Sequence, residues 1–413
     1  MIKLVINCRF CNEVLTDIFV DLGTSPLSNA FLKKENLDEP EKTYPLCTYI
    51  CKNCFLVQLP EFEKPKNIFK NYAYFSSYSS TWLLHAKNYV DMMIQRNSYD
   101  QKDLVVEIAS NDGYLLQFFK EKNIPILGIE PAENIAKVAN DKGIHTITKF
   151  FSVDTANKLK KEGIQPDLII ANNVLAHVPN LNDFVKGLKI LLKPTGIITI
   201  EFPHILKLIQ KNQFDTIYHE HFSYFSLLTV EKILSFHGLT IFNVEQIPTH
   251  GGSLRIYVKH FENSQISINE NVRILLEKEK KFGLECILTY TNFIKNVERV
   301  KKKLQDFFNC AKKSDKKIVC YGAAAKGNTL LNYCNIDKNF IDYAVDQNHY
   351  KQGLFLPGTH IPIKSPEEIL ITKPDYLVII PWNLKDEIIE QMKYIRDWGG
   401  KFVIPIPEVE IFS

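Results

Sequence analysis

Two pairs of cysteines, Cys8-x-x-Cys11 and Cys51-x-x-Cys54, constrain this chain more than any other feature. Each short turn presents two thiolates to one ion, and two such turns complete the tetrahedral four-sulfur shell of zinc. A closed shell of four thiolates leaves no open position for substrate, so the metal reads as structural rather than catalytic. Cys47 lies on the strand expected to lead into the second turn and is assigned to packing. Cys286, Cys310, Cys320 and Cys334 have no comparable pairing and are expected to be buried small hydrophobes.

At 413 residues and 45% hydrophobic, the chain can bury more than one core, and two or three domains are expected. The formal charge of +3 is too small to imply a nucleic-acid partner. Met1 to Phe10 is too short and too polar for a secretory signal, and no run of 18 apolar residues follows, so neither export nor membrane insertion is expected. The expectation is a cytoplasmic protein, with a monomer a plausible state.

The chain divides into three stretches. Residues 1–70 hold the cysteine turns and several prolines. A hydroxyl-rich and aromatic loop, NYAYFSSYSS over 71–80, follows; it reads equally as a polar connection and as a ligand-facing loop, and leads into an amphipathic helix from Trp82 to Ile94. From Leu104 apolar strands alternate with helical patterns, which argues for a doubly wound, mostly parallel α/β sheet running to residue 263. Residues 264–315 are mostly helical by pattern. A second, smaller α/β alternation then begins at Lys316, so the third stretch spans 264–413.

In an open α/β sheet, ligands bind beyond the carboxyl ends of the strands near a switch point, where EIASNDGY lies. Ala109 to Gly113 replaces the three-glycine turn of a dinucleotide site, and Asn and Asp there suit a ligand with hydroxyls and a cationic centre. Glu130 ends the next strand, placed to accept from two ribose hydroxyls. The densest polar run is DTIYHEHFSYFS, residues 215–226, in which Tyr218, His219, Glu220 and His221 follow one another. Such a cluster can hold a general base near neutrality, with the neighbouring carboxylate fixing its tautomer. His177 follows another strand end and converges on the same cleft; His204 follows the next strand and is the lesser candidate. HGGSLR, residues 250–255, reads equally as a hairpin turn and as a substrate contact. Lys326 in GAAAKG, with Asp346 at the next strand end, offers a weak phosphate cradle.

These motifs, CRFC, CKNC, EIASNDGYLL, GIEPA, NVLAHVPN, EFPH, DTIYHEHFSYFS, HGGSLR, GAAAKGNTLLNYC, LPGTHIPI and PWN, resemble in residue type and in order the sugar C-methyltransferases of branched deoxysugar biosynthesis. The resemblance implies a zinc-binding domain (1–70), a Rossmann-like S-adenosylmethionine domain (71–263) and a second Rossmann-like domain (264–413), with the sugar nucleotide held between the last two. It implies Cys8, Cys11, Cys51 and Cys54 as zinc ligands. Glu107, Ser110, Asp112, Gly113, Glu130 and Asn172 become the methyl-donor site. His221 becomes the general base, with Tyr218, Glu220 and His177 around it; no role is carried onto His219. The implied reaction is C-methylation beside the keto group of a nucleotide-linked 4-keto-deoxysugar, with carbon 3 favoured over carbon 5. The competing class is an NAD-dependent sugar-nucleotide oxidoreductase or epimerase.

Overall fold

The computed structural model of the protein describes residues 5–64, 66 and 75–413. Residues 71–74 of the tyrosine-bearing loop, with Tyr72 and Tyr74, fall outside the described residues. In the first stretch, β1 (Asp17–Ser25), β2 (Tyr44–Ile50) and β3 (Val57–Gln58) form antiparallel pairs. Helix α1 (Ser80–Asn97) follows, started by the Ser79 hydroxyl, which accepts from the Trp82 amide and satisfies one of the free donors of the first turn.

The middle sheet is built on β4 (Val105–Ile108), β5 (Ile126–Ile129), β6 (Thr146–Ile147), β7 (Leu168–Asn172) and β8 (Ile197–Pro203), all parallel. Their near-continuous apolar runs reflect burial on both faces, under α2 (Leu116–Glu121), α3 (Glu133–Asp141), α4 (Val153–Lys161) and α5 (Leu181–Leu191) among others. The chain then makes a short excursion, β9 (Ser223–Tyr224), which pairs with β3 and so joins the first sheet, before helix α6 (Leu227–Phe236). It returns as the hairpin β10 (Leu239–Ile247) and β11 (Ser253–His260), which closes the edge beside β8. The strand order β10-β11-β8-β7-β4-β5-β6 reverses direction between β4 and β7, and the crevice at their carboxyl ends is the expected ligand position.

Helices α7 (Glu270–Phe282), α8 (Ile287–Thr291) and α9 (Phe293–Lys313) lead into the last sheet. On α9 the buried residues Phe293, Val297, Val300, Leu304, Phe308 and Ala311 recur every three or four positions, one face of a helix. Burying each large apolar side chain contributes about 1.5–3 kcal/mol, and Phe293 stacks on Phe19 of β1 at 4.9 Å, which ties the first stretch to the last. That period also explains a correction: Cys310, two residues past buried Phe308, falls on the open side of the helix, and Cys286 before α8 is exposed as well, whereas Cys320 and Cys334 are buried as expected. The final sheet has six strands, five of them parallel, around Ile318–Tyr321 and Tyr376–Ile379, with helix α10 (Ala325–Cys334) starting at the end of the first of these two. Among the described residues, no helix is long and apolar enough to cross a membrane.

Candidate active site

The two cysteine turns meet as their spacing requires. The Sγ atoms of Cys8, Cys11, Cys51 and Cys54 all lie within 4.8 Å of one another, with Cys8–Cys54 and Cys11–Cys51 at 3.5 Å. Four sulfurs at zinc's usual bond length around one ion sit about 3.8 Å apart, so the donor set fits zinc. Gln58 Nε2 donates to Cys8 Sγ at 3.2 Å, the type of outer contact that orients a ligand sulfur. Cys47 takes no part in the cluster.

At the crevice lies a cavity of about 750 Å³, lined by all three stretches of the chain. One part of its wall comes from the turns after β4, β5 and β7: Ala109, Asn111, Glu130 and Asn172. The β4 turn needs unusual backbone, with Ala109 at φ 54°, Asn111 at 49° and Gly113 at 77°. Gly113 packs directly on Ile144, leaving no space for a Cβ. Glu130 accepts from the Asn111 amide at 3.0 Å and the Ala132 amide at 2.9 Å, one per oxygen, and each oxygen retains a lone pair for a further donor. Burial pushes its carboxyl up to about 7, with the two amides opposing the shift.

The remaining residues of the expected donor site stand behind this wall. Glu107, Ser110 and Asp112 are 1%, 0% and 1% exposed. Asp112 is held by Ser77 and by Lys142 Nζ at 3.2 Å. Burial keeps the Glu107 carboxyl well above its ordinary range, opposed by a hydrogen bond with Tyr114. Among the described residues Ser110 Oγ, Asp112 Oδ1 and Asn172 Oδ1 are buried without a hydrogen-bond partner; of these three Asn172 lines the cavity, where a polar ligand would satisfy it. The backbone has been brought close here: a Cβ on Gly128 would lie 2.5 Å from Ser110 Oγ. This site fits S-adenosylmethionine, whose hydroxyls and cationic centre match a carboxylate-rich, oxygen-lined pocket.

The other part of the wall carries the histidines. The Nδ1–H of His221 donates to the Thr216 carbonyl at 2.9 Å, which leaves Nε2 to accept from the Tyr218 hydroxyl at 2.8 Å. Here the structure corrects an expectation. A backbone carbonyl, not the adjacent carboxylate, fixes the tautomer: the His221 nitrogens bond Thr216 and Tyr218, while Glu220, which also lines the cavity, accepts from Asn29 Nδ2 at 2.5 Å. The His177 ring meets His221 edge to face, 4.7 Å between centroids. Burial holds both imidazoles neutral, taking His177 down to about 4 and His221 well below its ordinary value. His219 turns away from the cavity and contacts the Pro45 carbonyl.

Two motifs whose role the sequence left open also reach the cavity. His250, in the turn between β10 and β11, lines the cavity at φ 53° and lies 5.4 Å from the Trp82 ring. HGGSLR is therefore a hairpin turn whose first residue reaches the cavity, while Arg255 pairs instead with Glu201 and Glu245. Lys326 also lines the cavity, over the Trp382 ring at 4.4 Å. Burial lowers its amine to about 8, with Asp215 opposing the shift. Of the GAAAKG amides read as a phosphate cradle, that of Ala323 is taken by the Asp346 carboxylate at 2.8 Å. His204 does not reach the cavity: it is buried against Glu279 at 2.6 Å, so that candidate is withdrawn. Asn29 had no signal in the sequence, since 191 residues separate it from Glu220.

Three family models cover the chain in succession: a zinc binding domain over residues 8–69, a methyltransferase domain over 82–244 and a C-methyltransferase C-terminal domain over 248–407. The C-methyltransferase NovU of Streptomyces niveus is 32% identical over 413 residues, 100% of this chain and 98% of that one. Among solved structures, the PH0226 protein of Pyrococcus horikoshii OT3 is similar at 15% identity and a TM-score of 0.38, covering 48% of this chain and 99% of its own. The magnesium protoporphyrin IX methyltransferase of Synechocystis PCC 6803 with bound SAM is similar at 14% identity and 0.35, with 48% and 99% covered. Full-length likeness to a C-methyltransferase, the three successive domain models and the four-thiolate cluster place this chain in the C-methyltransferase family, as an S-adenosylmethionine-dependent enzyme with a zinc-binding N-terminal domain.

Proposed function

We propose that the acceptor is a nucleotide-linked 4-keto-deoxysugar, methylated on the carbon beside the keto group, carbon 3 ahead of carbon 5. The observation that carries this reading is the pair of neutral imidazoles, His177 and His221, 4.7 Å apart in the cavity that Glu130 and Asn172 also line. Carbon methylation needs a proton taken from carbon, and a neutral imidazole beside a hydroxyl donor is suited to that step. Lys64, Lys66, Lys326 and Lys351, from the first and third stretches, give the same cavity the positive charge a nucleotide diphosphate requires. In this reading the domains are 1–70, 71–263 and 264–413, and the nine unpaired cysteines and thiolate zinc site favour a reducing, cytoplasmic setting.

When bound, S-adenosylmethionine supplies a methyl group already activated by its sulfonium. The residues of the chain do the rest. Glu130 holds the ribose hydroxyls, and Asn172, with Glu107, Ser110, Asp112 and Gly113 behind the wall, shapes the pocket around the donor. The 4-keto group acidifies the neighbouring C–H. On substrate binding the Tyr218 hydroxyl turns from His221 Nε2 to the keto oxygen, which frees the base and supplies a donor to the enolate in one motion. Nε2 of His221 then takes the proton, while Nδ1 stays anchored on Thr216. His177 keeps the base aligned from the side, and Glu220, fixed by Asn29, orients the sugar. The carbon nucleophile so formed would accept the methyl group that bound S-adenosylmethionine supplies.

The test incubates the protein with labelled methyl donor and 4-keto sugar nucleotides, then locates the label. The expected product carries it on carbon. With the demethylated donor in heavy water, the α-hydrogen should exchange, and His221→Asn should abolish both exchange and transfer while both ligands still bind. A product methylated on oxygen, or near-parental turnover by His221→Asn, would overturn the reading.

A further inference from the structure

Arg9 stands inside the first cysteine turn, between Cys8 and Cys11, yet its side chain works outside it. The guanidinium donates through Nη1 to the Pro179 carbonyl at 3.2 Å and through Nη2 to the Leu59 carbonyl at 2.5 Å. Pro179 lies two residues beyond His177. On its other side the guanidinium lies 5.4 Å from the Phe222 ring, and Phe222 directly follows His221. The backbone of Phe222 is tied in turn to both neighbours: its amide donates to the Ala176 carbonyl at 2.8 Å, and its carbonyl accepts from Leu59 at 3.0 Å. The segments carrying His177 and His221, together with the strand that follows the second cysteine turn, thus converge on one planar cation. Arg9 is itself fixed from the metal side, since its amide donates to Gln58 Oε1 at 2.9 Å and the same Gln58 donates to Cys8 Sγ.

From this juxtaposition we infer that Arg9 is a positioning residue for the His177–His221 pair, so that the zinc-bound turn sets the geometry of the imidazoles as well as stabilising its own domain. The inference rests on the reading of those histidines given above. Arg9 does not line the cavity and has no direct part in the chemistry. Its partners are backbone carbonyls, which fix position and carry no reactivity. A planar fork reaches two such carbonyls at once, and the compact ammonium of lysine does not reproduce that geometry. Displacement of a reacting group by about 1 Å costs on the order of a hundredfold in rate, so modest slippage of either segment is measurable.

The experiment compares Arg9→Lys and Arg9→Met with the parent, measuring zinc content, melting temperature, methyl-donor affinity, kcat, KM and the pH profile of kcat. Both variants should keep one zinc per chain and bind the methyl donor within about twofold of the parent, because Asn111 and Glu130 of the donor wall lie on the turns after β4 and β5, away from the segments that Arg9 holds. kcat should fall about tenfold in Arg9→Lys and on the order of a hundredfold in Arg9→Met, with KM moving far less and α-hydrogen exchange falling in step. The acid limb of the pH profile should shift, which a loss of folded protein alone would not produce. Should Arg9→Met lose its zinc or fail to fold, Arg9→Lys decides the matter. Parental kcat and pH profile in that variant, or a kcat that falls only in proportion to bound zinc, would overturn the inference. His221→Asn run alongside separates the two layers: if it retains exchange, the reading of the base has failed, and if it is inactive while the Arg9 variants match the parent, only the positioning role has failed.

Discussion

The Tyr218 hydroxyl donates to Nε2 of His221 at 2.8 Å while the Thr216 carbonyl holds Nδ1 at 2.9 Å, so both nitrogens of the base are engaged before substrate arrives. A hydrogen bond to Nε2 favours the neutral ring and adds to the effect of burial, which already lowers the pKa of His221.

Tyr218→Phe removes that donor and leaves the base in place. Turnover should fall on the order of a hundredfold, the usual cost of one lost donor to a developing oxyanion. Because the neutral imidazole of the free enzyme loses a supporting hydrogen bond, the His221 pKa should rise there, and the acid limb of the kcat/KM profile, which reports the free enzyme, should move to higher pH. A profile that moves downward, or activity equal to the parent's, would show that the phenol does not face the keto oxygen during the reaction.

Glu130 governs the donor side. Its carboxyl is pushed up to about 7, so a fraction is protonated near neutrality, and donation from ribose hydroxyls favours the ionised form. Methyl-donor affinity should therefore rise as the pH climbs through 7 and level off above it. Glu130→Gln should flatten that dependence. Glu130→Ala should weaken the methyl donor by about 1.5–3 kcal/mol, the range for hydrogen bonds to a charged group, and sugar-nucleotide binding by less. Calorimetry across pH measures both, and equal donor affinity in mutant and parent removes Glu130 from the site.

Much of this arrangement was legible in the sequence, for reasons that can be named. Cysteine spacing is local chemistry, so Cys8, Cys11, Cys51 and Cys54 could be assigned without the fold, and alternating apolar runs foretold the parallel sheet because strands buried on both faces have no polar period. The run from Tyr218 to His221 was visible as a concentration of polar groups among rings. The partners of that run were not visible. Thr216 acts through a carbonyl that every residue type carries, and Asn29 and Arg9 reach the histidine segments from 191 and 170 residues away along the chain. Cys310 was misjudged because composition alone does not say which side of a helix a thiol occupies.

His250 holds φ 53° and ψ 27°, a left-handed backbone that costs a residue with a Cβ about 1–2 kcal/mol. Strain of this kind persists where the side chain has work to do. His250→Gly should relieve it, leaving the melting temperature unchanged or slightly raised, while kcat/KM for the sugar nucleotide falls. A substantial drop in melting temperature would instead mark His250 as a packing residue of the wall around Trp82.

His204 tests the boundary between site and scaffold. It follows a strand end, as His177 does, but its Nε2 meets Glu279 at 2.6 Å with the two side chains 1% and 0% exposed. Glu279 also accepts from the Leu227 amide at 2.7 Å and the Leu228 amide at 2.8 Å, and so caps the first turn of α6 from another helix. Removing the imidazole leaves a buried carboxylate short of one partner, and breaking such a pair from one side typically costs about 3–5 kcal/mol. His204→Ala should therefore melt well below the parent yet, at a temperature where it is folded, turn over at near-parental kcat with an unshifted pH profile. Glu279→Gln, which keeps the shape and one acceptor, should lose less, and the double variant should recover part of the loss because neither group is then left buried alone. Denaturation curves give the three stabilities, and a stable His204→Ala protein with depressed kcat would return this histidine to the catalytic group.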